Sequence, residues 1–203
     1  MGTGARGRWS WCGVALLASL ALSLPAAAAV VEGLSLAALG ARASLVVRGR
    51  VESSVGAWDQ GSRRIQTRTR VQVLEVLGGP ASSGGARTDG SIVAVGGVLE
   101  VVAPGGVVGN LGQKVPGSPR FVPGEEVLLF LERVASGYTP LGLSLGKFTV
   151  RPAGRGGQVA VRELDGLVFQ LPDGEIVPPG SPLAPAAEVP LPLPDDLLDA
   201  HGR

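Results

Sequence analysis

From Arg64 to Val73 the chain alternates. Ile65, Thr67, Thr69, Val71 and Val73 take one parity; Arg64, Gln66, Arg68, Arg70 and Gln72 take the other. A period of two marks a strand with one face on a core and one in water, because successive side chains of an extended chain point to opposite faces. The phase slips just beyond, where Leu74 and Val76 are apolar and Glu75 is not. One extra residue near Val73–Leu74 returns the apolar side to the core, so a β-bulge is expected there.

The rest of the body reads the same way. Ser44–Glu52 is a β-branched run with Gly49 inside it, and a glycine in a strand interior marks a bend or a bulge. Further strands are expected at Val98–Ala103, Glu126–Arg133, Tyr138–Gly142, Lys147–Arg151 and Gln158–Glu163. Val127–Leu131 is apolar at every position and follows the turn dipeptide Pro123-Gly124, which suits a strand buried on both faces. Helix is confined to Leu34–Ala43, one short segment expected to plug the end of a barrel. The fold class expected is mainly β: a small antiparallel OB-like β-barrel of five or six strands over residues 44–170, with a β-sandwich as the alternative. Two Gly-rich connections, Gly78–Gly90 and Pro104–Pro119, are long enough to be functional rather than ordinary loops. Residues 171–203 are Pro-rich and expected to be extended, with little packing and a brief helical turn at Asp195–Leu198.

Residues 1–29 carry the pattern of an export signal. Arg6 and Arg8 precede an apolar stretch from Trp11 to Leu24, and Pro25 leads into Ala26–Ala29. The stretch is shorter than the roughly 20 residues a bilayer-spanning helix needs, so no stable membrane span is expected once it is cleaved after Ala28 or Ala29. The expected location is secreted or periplasmic. Cleavage removes Cys12, the only cysteine. The remaining chain then has no thiol for a disulfide, a metal or a nucleophile. It also loses two of 18 basic residues and none of 17 acidic ones, leaving 16 against 17. Near neutrality gives no global field for nucleic acid.

The sequence carries few residues in patterns that support chemistry. His201, the only histidine, is the third residue from the end, so a Ser-His-Asp triad or a His-rich zinc site is not expected. Glu100, Glu125, Glu126, Glu132, Glu163 and Asp165 stand at turns and strand ends, where carboxylates are ordinarily just solvated. Gly142–Phe148 contains a Gly-Lys step but is one residue short between its glycines, and Phe stands where a P-loop needs Ser or Thr. No catalytic residue, cofactor or metal ligand is assigned. The surface features singled out are the stripe Arg64, Arg68, Arg70 and the nearby Trp58. Arg forks in a row suit carboxylates or sulfated glycans, against the plainer reading of a solvated face paired with neighbouring acids. Trp58 is expected to plug the core, with an exposed contact as the other reading.

The succession Leu45–Val51, Ile65–Leu77, Val101–Gly106, Phe121–Leu131 and Leu145–Phe148 resembles a group of uncharacterised secreted bacterial proteins. Those are OB-like and similar to the netrin-like barrels that include tissue inhibitors of metalloproteases. The resemblance spans roughly Ala41 to Val150 and implies the fold rather than an activity. Inhibitors of that type place an N-terminal cysteine on the zinc within a disulfide framework, and the cleaved chain has neither. The function expected is a non-catalytic extracytoplasmic module that binds a protein or envelope component through its long loops. An inhibitor or accessory partner of a secreted protease, and a carboxylate-based hydrolase, are the alternatives.

Overall fold

The computed structural model describes residues 28–193 except 80–85 and 89–90. The expected export signal up to residue 27, the turn at Asp195–Leu198 and His201 lie outside them, as does part of the Gly78–Gly90 connection. The chain runs β1 (Ala29–Glu32), α1 (Leu36–Arg42), β2 (Leu45–Asp59), β3 (Arg64–Gly78), β4 (Ala86–Thr88), β5 (Ser91–Val93), β6 (Val98–Pro104), β7 (Gly106–Val108) and β8 (Leu111–Gln113). It continues through β9 (Glu126–Val134), β10 (Gly137–Pro140), β11 (Lys147–Pro152), β12 (Gln158–Val161), β13 (Leu167–Gln170), β14 (Ile176–Val177) and β15 (Glu188–Leu191). Among the described residues the protein is mainly β, with antiparallel-rich sheets and one α-helix.

The largest sheet has the order β10-β6-β3-β2-β9-β11-β12-β15. Strand β10 also pairs antiparallel with β9 over four residues and meets β6 in parallel at Tyr138 and Val101. The expected bulge is present. Arg48 faces Glu75 while Gly49 faces Val73, so Leu74 is the extra residue and turns outward. The glycine opposite is required by close approach: a Cβ on Gly49 would lie 2.5 Å from Val71 Cγ1 and 2.7 Å from the Gln72 carbonyl oxygen.

Strand β9 is buried on both faces and divides the interior in two. Val127, Leu129 and Leu131 point into one core with Val47, Val71, Val101 and Tyr138. Leu128 and Phe130 point the other way, into a second core with Leu39, Phe148, Phe169 and Val189. Phe130 and Phe148 meet edge to face, centroids 5.8 Å apart.

Two expectations give way here. The helix is capped by Ser35, whose Oγ accepts from the Ala38 N–H at 3.2 Å, but it delivers Leu39 to the second core rather than plugging the first. The Pro-rich segment is packed as far as Leu193: β15 pairs with β12, β14 pairs with β13, and Val177, Val189 and Leu193 are buried. A proline-bearing strand is tolerated because β15 is at the sheet edge, where one row of main-chain groups needs no ladder partner. Arg162 clamps this segment down. It donates from Nε to the Ala186 carbonyl and from Nη1 to the Leu145 carbonyl, and its guanidinium stacks 4.9 Å from the Phe148 ring centroid. Burial alone pushes this guanidinium down to about 10.

Candidate functional site

The connection from Pro104 to Pro119 contains Val107-Val108-Gly109-Asn110-Leu111, an apolar pair on a Gly-Asn step. The structure closes it as the two-residue hairpin β7–β8, with Val108 opposite Leu111 and Gly109 at φ 62°. This hairpin lies flat on the free end of the β2–β3 ribbon. A Cβ at Gly56 would sit 2.1 Å from the Val107 carbonyl oxygen, so only glycine permits the approach. The Gly105 N–H donates to the Ile65 carbonyl at 2.8 Å, and the Ile65 N–H donates to Gln113 Oε1 at 2.9 Å. Thr67 Oγ1 donates to the Gly105 carbonyl, and Ser118 Oγ to that of Pro104.

Beside the hairpin opens a cleft of about 890 Å³. Ser54, Gly56 and Thr67 of the ribbon form one side, and residues 112–121 with Glu163, Asp165 and Gly166 form the others. Lys147, Ser144 and Phe121 line its inner end. Lys147 is 4% exposed. Its ammonium lies 3.1 Å from Glu125 Oε1, donates to Thr149 Oγ1 at 2.7 Å and sits 5.7 Å from the Phe121 ring centroid. Glu125 in turn accepts from the Val122 N–H at 3.0 Å and from the Thr149 hydroxyl at 3.2 Å. The Gly-Lys step is therefore no phosphate loop. Gly146 is glycine because a Cβ would lie 2.6 Å from the Phe130 carbonyl oxygen, and Lys147 is committed to a carboxylate.

Ser144 Oγ is buried without a hydrogen-bond partner. A serine nucleophile needs a base within hydrogen-bond reach, and Lys147 does not supply one to it. The carboxylates are likewise engaged: Glu125 with Lys147, Glu126 with Arg48 and Arg50, Glu100 with Arg68. Glu163 and Asp165 line the cleft, as do Lys114 and Arg120. Among the described residues no ion pair joins any of these four, and no group of three His, Cys, Asp or Glu residues could hold a metal ion.

The structure separates the residues singled out from the sequence. Arg64, Arg68 and Arg70 stand on the outer face of β3, where Arg68 meets Glu100 at 3.0 Å and Arg70 meets Glu52 at 3.5 Å. Trp58 is not a core plug. It lies in β2, is 48% exposed, and faces Ile65 across the ladder. That puts it on the face opposite the arginines and on the same face as Gly56, at the cleft end of the ribbon. Asp59 pins the turn beyond it by accepting from the Ser62 N–H at 3.0 Å and the Ser62 hydroxyl, which hold its carboxyl below the usual range. The sequence reading missed Lys147–Glu125 and the β7–β8 hairpin. For the hairpin a signal existed, the Gly-Asn step between apolar residues; for the ion pair none did, since its members lie 22 residues apart.

The class these features define is a mainly β protein with a loop-walled cleft. No family model, curated protein or solved structure matches the chain.

Proposed function

We propose that this protein is an exported, non-catalytic binding module that takes its ligand in the cleft beside the β2–β3 ribbon. The observation that carries the reading is the construction of the Pro104–Pro119 segment. It is a built wall, fixed to the ribbon by three hydrogen bonds, braced within itself by the Ser118 hydroxyl on the Pro104 carbonyl, and seated by a backbone approach only Gly56 allows. A connection this long and this ordered, enclosing space and not filling it, is the usual form of a binding site on a rigid scaffold. Binding rather than turnover is favoured because the polar groups at the inner end are paired to one another or lack a base. The scaffold itself reads as an OB-like barrel. Its support is the pairing circuit β2-β3-β6-β10-β9 and back to β2, with β6 and β10 parallel and a single core inside.

Export is supported by residues 1–29, and the fold supports cleavage after Ala28. Ala29 is already the first residue of β1, and its N–H donates to the Gly166 carbonyl at 2.8 Å. Expression of the full chain in a bacterial host, with fractionation and intact mass, is expected to give an extracytoplasmic protein starting at Ala29; retention of the full-length chain in the cytoplasm refutes export. The cleft is tested by thermal shift against co-secreted proteins, peptidoglycan fragments and lipopolysaccharide. A true ligand at a hundred times its Kd adds about 2.7 kcal/mol of stability. Gly112→Phe adds a ring at a residue that lines the cleft, where a Cβ meets only Val107 Cγ2 in ordinary van der Waals contact at 3.8 Å. It is expected to fold and to lose the ligand; equal stabilisation of both proteins refutes the site.

A further inference from the structure

Strand β2 is longer than its supports. Strand β3 pairs with it from Val46 to Asp59, whereas β9 pairs only with Leu45–Arg50. From Ser53 to Asp59 the edge away from β3 carries no strand among the described residues. Which groups face that edge follows from the ladder. Ile65 bonds away from β2, through its carbonyl to the Gly105 N–H and through its N–H to Gln113. Its partner Trp58 therefore points its own N–H and carbonyl to the open side, because the two members of such a pair turn outward together. By alternation Gly56 and Ser54 do the same. Val51 agrees from the other end: it bonds away from β3 to Gly124 and Glu125, and the extra residue at Glu52 carries the parity across.

Two further features bear on this edge. Natural edges are blunted with lysine, proline or inward charge, and Ser53–Trp58 has none of these, while Val55 is 62% exposed. The edge also runs along the cleft, which Ser54 and Gly56 line, and the cleft carries two cations and two carboxylates with no partners among themselves.

We propose that the β2 edge from Ser54 to Trp58 accepts an extended segment of a partner protein as an added strand, with alternate side chains entering the cleft. This rests on the binding reading above. Main-chain bonds to the edge supply affinity, and the side chains in the cleft supply selectivity. Lys114 and Arg120 call for an acidic residue in the segment, and Glu163 with Asp165 for a basic one.

The probe is a phage-displayed library of random 12-residue linear peptides, selected on the processed protein with the Gly112→Phe variant as counter-selection. Enriched peptides are expected to carry both charge signs and to slow amide exchange at Ser54, Gly56 and Trp58. N-methylation of the bound peptide at every second amide is expected to weaken binding by tenfold or more in one phase and little in the other. Ser54→Pro removes one edge N–H while keeping the main-chain bonds to β3, at the loss of the Ser54–Thr69 hydroxyl contact of 3.1 Å, and is expected to weaken binding about tenfold, the equivalent of one hydrogen bond. The N-methylated peptides need no protein variant, so a misfolded Ser54→Pro does not spare the proposal. Failure to enrich any peptide overturns strand addition. So does an equal response to both methylation phases, or protection of the same amides by self-association seen in sedimentation. Ligand binding that Gly112→Phe abolishes and Ser54→Pro leaves intact overturns strand addition while the cleft reading stands.

Discussion

Breaking the Lys147–Glu125 pair one partner at a time should reveal an asymmetry set by what each group keeps. Lys147→Met removes the ammonium and leaves a carboxylate that is 14% exposed and still accepts from the Val122 N–H and the Thr149 hydroxyl. Glu125→Leu leaves an ammonium 5% exposed, with only Thr149 Oγ1 and the Phe121 ring for company, and also strips Val122 of its acceptor. Uncompensating a buried charge costs about 3–5 kcal/mol, so the lysine variant should sit near 3 and the glutamate variant near 5. At roughly 2–4 °C per kcal/mol for a chain of this size, Tm falls by about 6–12 °C in the first and about 10–20 °C in the second. The double variant removes both charges, and hydrophobic replacement of a whole buried pair is close to neutral. It should therefore be more stable than Glu125→Leu alone. Urea unfolding followed by circular dichroism measures all four corners of the cycle. If the two losses simply add in the double variant, the groups do not interact and the inner end of the cleft is not built as described.

Three further outcomes follow from single positions. Gly49→Ala drives a Cβ to 2.5 Å from Val71 Cγ1 and should cost about 1–3 kcal/mol, read as a lower urea midpoint with an unchanged slope; an unchanged midpoint means the bulge relaxes freely. Ser144→Ala deletes a buried hydroxyl that has no partner, so stability should hold or rise by roughly 1 kcal/mol; a loss above that size would reveal a hydrogen bond Ser144 makes in solution. Asp59 has its folded pKa depressed by the Ser62 hydroxyl and N–H, so its grip on the turn is complete above the unfolded value of 3.8 and is lost as pH falls through the lower folded value. Trp58 stands beside that turn and is the only tryptophan among the described residues. Its emission should shift in that acid window in the parent and not in Asp59→Ala, and identical titrations would detach the turn from the carboxylate.

How far the sequence reaches depends on whether a feature is set by neighbours along the chain or by partners across it. The alternation from Ile65 to Val73, the slip at Leu74 and the apolar run of Val127–Leu131 are local patterns, and each maps directly onto a face, a bulge and a doubly buried strand. The packing of Val177, Val189 and Leu193 is not local. Proline content describes the unfolded preference of that segment, and it is overridden by the β12 edge and by Arg162, which reaches the Ala186 carbonyl from 24 residues away. Trp58 misleads for the same reason. A lone tryptophan between Ala57 and Asp59 looks like a core anchor, yet the ribbon that carries it outruns β9 and leaves its side chain half in water. The cleft is the sharpest case. Its wall was visible as a long Gly- and Pro-rich connection, but enclosure needs Gly56 to admit Val107, Gln113 to receive Ile65 and Glu125 to neutralise Lys147. Each of those is a pairing at long separation in which one member is an ordinary residue, and nothing in its own neighbourhood distinguishes it. The overrun of β2 beyond β9 shows the same logic at the scale of strands: it is a difference between two lengths, legible only once their register is known.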